Sequence, residues 1–447
     1  MHVIVLGAGE VGSYVAERLS RQGVDVAVIE NDPLRLRAVE EKLDVMTVRG
    51  SGTHPSVLAQ AGVDRAELLV AVTNNDEVNL MAALVAKQAG VPSSLVRLES
   101  AELRSDDAAD LREEVGAARV IDPDEEAARD ILQLLELPGA SEVEYLAEGE
   151  VLIVGARLAA TSSLVGKTLH QVAAEHEPNW EFLFGTISRE GETVIPRGNH
   201  ELRADDMVRV LCKRKGRRDL MELLDLPLRA PRRVLLLGGG RTAELVATPL
   251  VRRGSEVMII ERDVQRAREL AERLHRVTVL KGDITDVEVL LDAEVGKFDA
   301  VAALTGEDDA NIISCLFANS QGAGETIAIA HRLELLPLLN EIGIDAATSP
   351  RTATADRVIS IVRGEIAGVA TFLEGAIEIL EYEVAEGSEV DGAVVSDMHL
   401  PADVLLGAVV RDGVAEIARG RSELAAGDHV VVFAMPDRAE LVGKLFA

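Results

Sequence analysis

Only two cysteines, Cys212 and Cys315, occur in 447 residues, too few for a disulfide framework. No apolar run approaches the roughly 18–20 residues that cross a bilayer. Apolar runs such as Val234–Leu237 have the length of strands. The chain opens directly on the strand-like Val3-Ile4-Val5-Leu6, so no cleavable signal is expected. With these absences the chain is expected to be soluble and cytoplasmic.

Basic charge is short as well. Lys and Arg number 46 against 76 Asp and Glu, a net charge of −30, and only eight of the basic residues are Lys. That balance argues against nucleic acid, whose phosphates are held by Lys and Arg, and against direct adsorption to an anionic membrane surface. Aromatic residues make up 2%. An acidic, Lys-poor, aromatic-poor composition suits a very salty cytoplasm, and equally a GC-rich genome with an acidic proteome. In both cases the charge concerns solubility and association rather than fold.

What the chain does have, it has twice. Gly7-Ala8-Gly9-Glu10-Val11-Gly12 near the start is answered 231 residues later by Gly238-Gly239-Gly240-Arg241-Thr242-Ala243. Glu30 and Glu261 each follow the first glycine of their turn by 23 residues. One glycine fingerprint is weak; two in register, each with its acid, specify a duplication. Thr73-Asn74-Asn75-Asp76 through Asn79 likewise matches Thr305-Gly306-Glu307-Asp308 through Asn311.

Around both turns strand-like and helical segments alternate, and several strands are apolar on both faces, as in a parallel sheet covered by helices on each side. Five strands are expected in each block. Two further blocks hold short alternating strands and match each other at an offset of 222, Ile195-Pro196-Arg197-Gly198 against Ile417-Ala418-Arg419-Gly420. The expected fold is α/β: two Rossmann-like, doubly wound parallel-sheet domains, each followed by a small mixed α+β domain. The boundaries are placed at 1–135, 140–225, 232–363 and 365–447.

In such turns the first glycine permits a sharp strand-to-helix bend, the second lets a pyrophosphate approach the backbone, and the third allows close helix–strand packing. The phosphates then sit at a helix amino terminus. Glu30 and Glu261 can accept hydrogen bonds from a ribose 2′-OH and would repel a 2′-phosphate, favouring NAD or an adenine nucleotide over NADP. Thr73, Asn74 and Thr305 end strands at the crevice mouth, and Arg97 can neutralise a phosphate or pair with Glu99 or Glu102. The halves differ: Arg241 replaces Glu10, Ala243 replaces Gly12, Arg262 follows Glu261, and Asp283 stands where the first half has Ser51. Pro249 is expected to kink or shorten the second glycine-turn helix.

These motifs, the GDITD phrase and the alternation of two module types resemble the TrkA family over essentially the whole chain. The resemblance implies a peripheral, homo-oligomeric regulator beneath an integral-membrane potassium transporter on the inner face of the cell membrane. It also implies binding of NAD(H), and in some members ATP or ADP. The nucleotide residues it carries over are Gly7 to Val11, Glu30, Thr73, Asn74 and Arg97, then Gly238 to Thr242, Glu261 and Thr305. Ser51 departs from the acid commonest after the third strand.

Catalysis finds little support. The nine histidines are scattered without a pair matched between halves, and neither a G-x-S-x-G elbow nor a Walker phosphate loop occurs. The alternative, an NAD-dependent oxidoreductase with an unfamiliar substrate domain, needs a proton-transfer group beside the nicotinamide. No catalytic or metal-binding residue is assigned. Asp205-Asp206 is read as a solvated turn in preference to a cation site. Ile131–Leu137 (ILQLLEL) is read as a helix buried in its own chain in preference to a subunit contact.

Overall fold

Continuous Val/Ile/Leu runs such as Val3–Leu6 and Val234–Leu237 are apolar on both faces, so each is buried only in the middle of a parallel sheet. The computed structural model describes residues 1–447 except 22, 118, 178–179, 363–365, 372–376, 436–437 and 447; side chains of 360, 362, 366–371, 439 and 440 are also outside the description. The expected boundary at 363–365 therefore falls outside the described residues. The chain groups into two compact units.

The first unit comprises Met1–Ala127 with Pro350–Arg363. Its strands are β1 (His2–Leu6), β2 (Asp25–Glu30), β3 (Met46–Arg49), β4 (Leu68–Ala71), β5 (Ser93–Arg97) and β6 (Arg119–Ile121). They form one parallel sheet in the order β3-β2-β1-β4-β5-β6. The order reverses beside β1, which opens a crevice at the carboxyl ends of β1 and β4. Asp32 caps the helix Pro33–Lys42 by accepting from the Leu34 and Arg35 amides. Asn75 caps Asp76–Gln88 by accepting from Val78. The helix Pro350–Val362 lies against Glu10–Arg21 in this unit.

The second unit comprises Ala128–Ser349 with Gly364–Ala447 and holds three sheets. Strands β7 (Glu142–Leu146), β8 (Val151–Arg157), β9 (Phe182–Arg189), β10 (Glu192–Val194) and β11 (Met207–Lys213) form an antiparallel sheet ordered β10-β9-β11-β8-β7. A parallel sheet follows, made of β12 (Arg233–Leu237), β13 (Glu256–Glu261), β14 (Val277–Lys281), β15 (Ala300–Ala303), β16 (Thr326–Ile329) and β17 (Ala346–Thr348). Its order, β14-β13-β12-β15-β16-β17, repeats that of the first. Finally β18 (Ile366–Thr371), β19 (Glu378–Glu383), β20 (Val404–Arg411), β21 (Val414–Ile417) and β22 (His429–Ala434) are ordered β18-β19-β22-β20-β21. Counted from its own first strand, this connectivity is that of the β7–β11 sheet.

The two antiparallel sheets share one core. Ile153, Leu211, Ile379, Ala408, Val431 and Phe433 belong to a single buried cluster. Gly185 and Gly407, equivalent in the two modules, permit the approach. A β-carbon on Gly185 would collide with the Phe433 ring, and one on Gly407 would lie 2.8 Å from Leu211 Cδ1 and 2.9 Å from Phe433 Cε2.

Three expectations need correction. Each parallel sheet has six strands rather than five; β6 and β17 have three residues each, too short to show a period. Pro249 does not shorten its helix: Arg241–Arg252 has 12 residues, as does Glu10–Arg21. Proline stands in the last turn, where it forfeits one backbone bond and its carbonyl still accepts from the Arg253 amide. Asp206 is no solvated turn: fully buried, it accepts from Arg189 Nε at 2.6 Å and Nη2 at 2.7 Å, and from the Arg203 amide. Asp428 and Arg411 repeat this pair. On the Ile131–Leu137 stretch the buried reading holds, since Ile131, Leu134, Leu135 and Leu137 are all buried within the chain.

Glu325, just before β16, is a buried acid whose Oε1 accepts from the Gly139 amide at 2.9 Å, while its buried Oε2 has no partner among the described residues. Burial pushes its carboxyl up from the ordinary 4.5 to about 8, against the Gly139 hydrogen bond and with the help of nearby Asp345. The folded chain thus keeps a proton that the unfolded chain loses, so this group's contribution to stability declines as pH rises from about 4.5 to 8. Glu325→Gln removes that dependence. Denaturant titrations should show the variant gaining on the parent by roughly 1.4 kcal/mol per pH unit within that window. A difference that stays constant from pH 5 to pH 8 would mean that the group is ionised throughout.

Candidate nucleotide sites

Each parallel sheet ends in the same construction. Gly7 has φ +103° and Gly238 φ +99°, left-handed values that side chains disfavour. Their amides bond the carbonyls of Ile29 and Ile260, drawing each turn against the second strand. A β-carbon on Gly7 would lie 3.2 Å from Thr73 Cγ2, and one on Gly238 would lie 2.7 Å from Thr305 Cγ2. The turn and the end of the fourth strand are therefore immediate neighbours.

The middle glycines face open space. Among the described residues, a β-carbon on Gly9 would meet only Arg35 Nη1, at 3.9 Å, and one on Gly240 would have nothing within 4 Å. Gly12 is the opposite case, since a β-carbon there would collide with the Gly7 carbonyl. The second turn accepts the fully buried Ala243 at that position. The helices Glu10–Arg21 and Arg241–Arg252 start at these turns, with first-turn amides that lack intrahelical partners. Val11 and Thr242 are buried at their bases.

The paired acids brace the loops. Glu30 Oε2 accepts from the Ala8 amide at 2.7 Å, and Oε1 from those of Asn31 and Asp32 at 2.7 and 2.8 Å. Glu261 Oε2 accepts from Gly239 and Oε1 from Asp263, both at 2.7 Å. Each carboxylate is fixed beside its glycine turn, with lone pairs left for a ribose hydroxyl. These groups fit an adenine dinucleotide or nucleotide: an open pyrophosphate cradle at a helix amino terminus, and an anchored acid beside it.

The remaining candidates are dispersed around the crevices. Ser51 Oγ lies 2.8 Å from Thr53 Oγ1. Asp283 is exposed and bonded by the Thr285 amide at 2.9 Å and hydroxyl at 2.7 Å, which lower its pKa. Asn74 is exposed. Arg97 pairs with Glu99, and Arg262 with Glu307 at 2.9 Å. Glu10 carries an ion pair with Arg351. Arg241 is half-buried at its helix start.

Sequence reasoning missed two kinds of residue. Asn79 and Asn311, fully buried, are latches. Asn79 Oδ1 accepts from the Thr73 hydroxyl at 2.6 Å and amide at 3.1 Å, while Nδ2 donates to the Thr73 and Arg97 carbonyls at 3.0 Å. Asn311 does the same for Thr305 and Ile329. Much of the matched phrase thus builds the crevice wall. Arg35 and Arg266, also equivalent, lie at the glycine turns; Arg266 Nε donates to the Gly239 carbonyl at 2.8 Å. Their signal was a cation three residues after each capping Asp32 or Asp263. Among the described residues, no group of three or more His, Cys, Asp or Glu could hold a metal ion. No helix among them is long and apolar enough to cross a membrane.

The TrkA-N domain profile matches residues 3–123 and 234–350, and the TrkA-C domain profile residues 153–225 and 379–447. The Trk system potassium uptake protein TrkA of Halomonas elongata is 34% identical over 444 residues, 98% of this chain and 96% of that protein. A TrkA homolog from Archaeoglobus fulgidus is 32% identical over the full length of both. Among solved structures, the GsuK RCK domain superposes with a TM-score of 0.61 at 16% identity, covering 100% of this chain and 94% of that one. A GsuK channel bound to NAD gives the same score and identity over 78% of its own chain. These likenesses show the RCK fold, and with two TrkA-N and two TrkA-C modules in alternation the chain belongs to the TrkA family.

Proposed function

We propose that this chain is a nucleotide-sensing regulatory subunit of a potassium uptake system. It binds NAD(H), ATP or ADP at both glycine turns and gates an integral-membrane transporter without turning over its ligand. The observation that carries this reading is the pair of open glycine cradles, each beside an anchored acid, on a chain that repeats them in register. The relatives named as potassium uptake proteins supply the transport context. GsuK structures bound to NAD and to ADP supply the ligand class. The proposed site residues are those expected from the sequence, within domains bounded at 1–135, 140–225, 232–363 and 365–447. Homo-oligomers of the chain would sit on the inner face of the cell membrane through their partner. Cytoplasmic loops of membrane proteins are rich in Lys and Arg, which a chain of net charge −30 complements.

A ligand shifts a two-state assembly only by its difference in affinity for the two states. Moving a pore from about 1% to 99% open requires roughly 5.5 kcal/mol, which several sites can share. Two sites per chain in an oligomer reduce the share to about 1 kcal/mol each. The test is potassium flux in vesicles that contain the transporter and this chain. Flux should change on exchanging NADH, ATP and ADP; equal flux under all of them rejects the gating role.

A further inference from the structure

The first glycine turn carries a charge arrangement that its sequence does not announce. Glu10 places a carboxylate at the start of the Glu10–Arg21 helix, where the dipole favours it. A pyrophosphate arriving at the open face of Gly9 would meet a like charge one residue away. Arg351, the second residue of the helix Pro350–Val362, offsets that charge. Its Nε donates to Glu10 Oε2 at 2.9 Å, and its Nη2 pairs with Oε1, a two-pronged contact. The Arg351 side chain is 18% exposed and that of Glu10 60%. The guanidinium is therefore held by its surroundings, while the carboxylate stands in water. The two helices are in contact, and Tyr14, one turn beyond Glu10, is half-buried beside Arg18 and Asp356. Packing, not the ion pair alone, fixes where Arg351 stands.

We propose that Arg351 is a phosphate-binding residue of the first nucleotide site and that Glu10 is its partner only while phosphate is absent. The proposal rests on the nucleotide-binding reading of the glycine turns. A guanidinium fork matches phosphate as well as carboxylate. A pyrophosphate on the first-turn amides offers Arg351 more negative charge than Glu10 does, and the exposed Glu10 side chain can turn into solvent. Arg351 belongs to the segment that leaves the second nucleotide repeat and leads into the last module, so occupancy of the first turn grips that segment. At the corresponding positions the sequence reverses both signs, with Arg241 for Glu10 and Asp124 for Arg351. The second turn thus carries its cation on its own helix and has no need of one supplied from elsewhere.

The experiment measures binding of ADP and adenosine by calorimetry to the full chain carrying Gly240→Asp, which confines binding to the first turn. In that background, Arg351→Gln should weaken ADP about tenfold or more, the loss expected for a charge-assisted phosphate contact. It should leave adenosine unchanged, and Arg351→Lys should recover part of the loss. Glu10→Gln should tighten ADP several-fold, and that gain should vanish when Arg351→Gln is added. Equal affinity for ADP in all variants, or equal losses for ADP and adenosine, overturns the role of Arg351 while leaving the nucleotide site in place. A parent chain that binds neither ligand overturns the nucleotide reading itself. Unfolding midpoints within a degree or two of the parent show that the variants fold.

Discussion

Gly9→Asp is expected to weaken nucleotide binding at the first turn by at least about 100-fold, and Gly240→Asp to do the same at the second, while the chain folds normally. The two halves of this expectation come from different facts. Folding is spared because the space beside both glycines is open: among the described residues, Arg35 Nη1, at 3.9 Å, is the sole neighbour of a β-carbon on Gly9, and Gly240 has none within 4 Å. Gly240 also has φ −64°, which any residue adopts. Binding is lost because the added carboxylate occupies the position where the pyrophosphate must approach, and like charges there cost several kcal/mol. Calorimetry with NAD, NADH, ATP and ADP should resolve two separable sites in the parent and one in each variant. Retained binding at either turn would move the ligand away from the glycine cradle.

Phe433→Ala is expected to have the largest effect on stability, about 3–5 kcal/mol. Phe433 is fully buried on β22, and its ring fills notches left by Gly185 and Gly407 on the two antiparallel sheets. Removing it leaves a cavity that neither sheet can close without shifting against the other. Phe433→Leu should cost much less, because Leu211 already serves at the equivalent position of the other module. Gly185→Leu should be as damaging as the alanine variant for the opposite reason, a clash in place of a void. Denaturant midpoints of the transition report this best, since a chain with several cores is not expected to unfold in one step. A Phe433→Ala midpoint equal to the parent's would mean that the joint contributes little.

Much of this was legible because duplication makes weak local signals speak twice. The glycine turns, Glu30 with Glu261, and the alternation of strands and helices all carry fixed spacings, and the two sheet types follow from them. What stayed hidden depends on contacts between residues far apart in sequence. Asn79 looks like one more polar residue in a helical phrase; only burial turns its amide into a clasp between Thr73 and Arg97. Asp206 reads as a turn because Arg189, its partner, lies 17 residues upstream at the end of β9. Gly185 sits in a strand, where no local rule asks for glycine, and its reason is a phenylalanine 248 residues later. Strands β6 and β17 were invisible for lack of length.

The shared core of the two antiparallel sheets has a consequence for heredity. A single-copy module that pairs with its own twin must accept every mutation on both sides of the joint at once. Here the twins are joined in one polypeptide, so Leu211 and Phe433, or Glu10 and Arg241, can drift apart while their stoichiometry stays locked at one to one. Fusion has released the two halves from symmetry, and each glycine turn is free to diverge without dissolving the partnership of the twin modules.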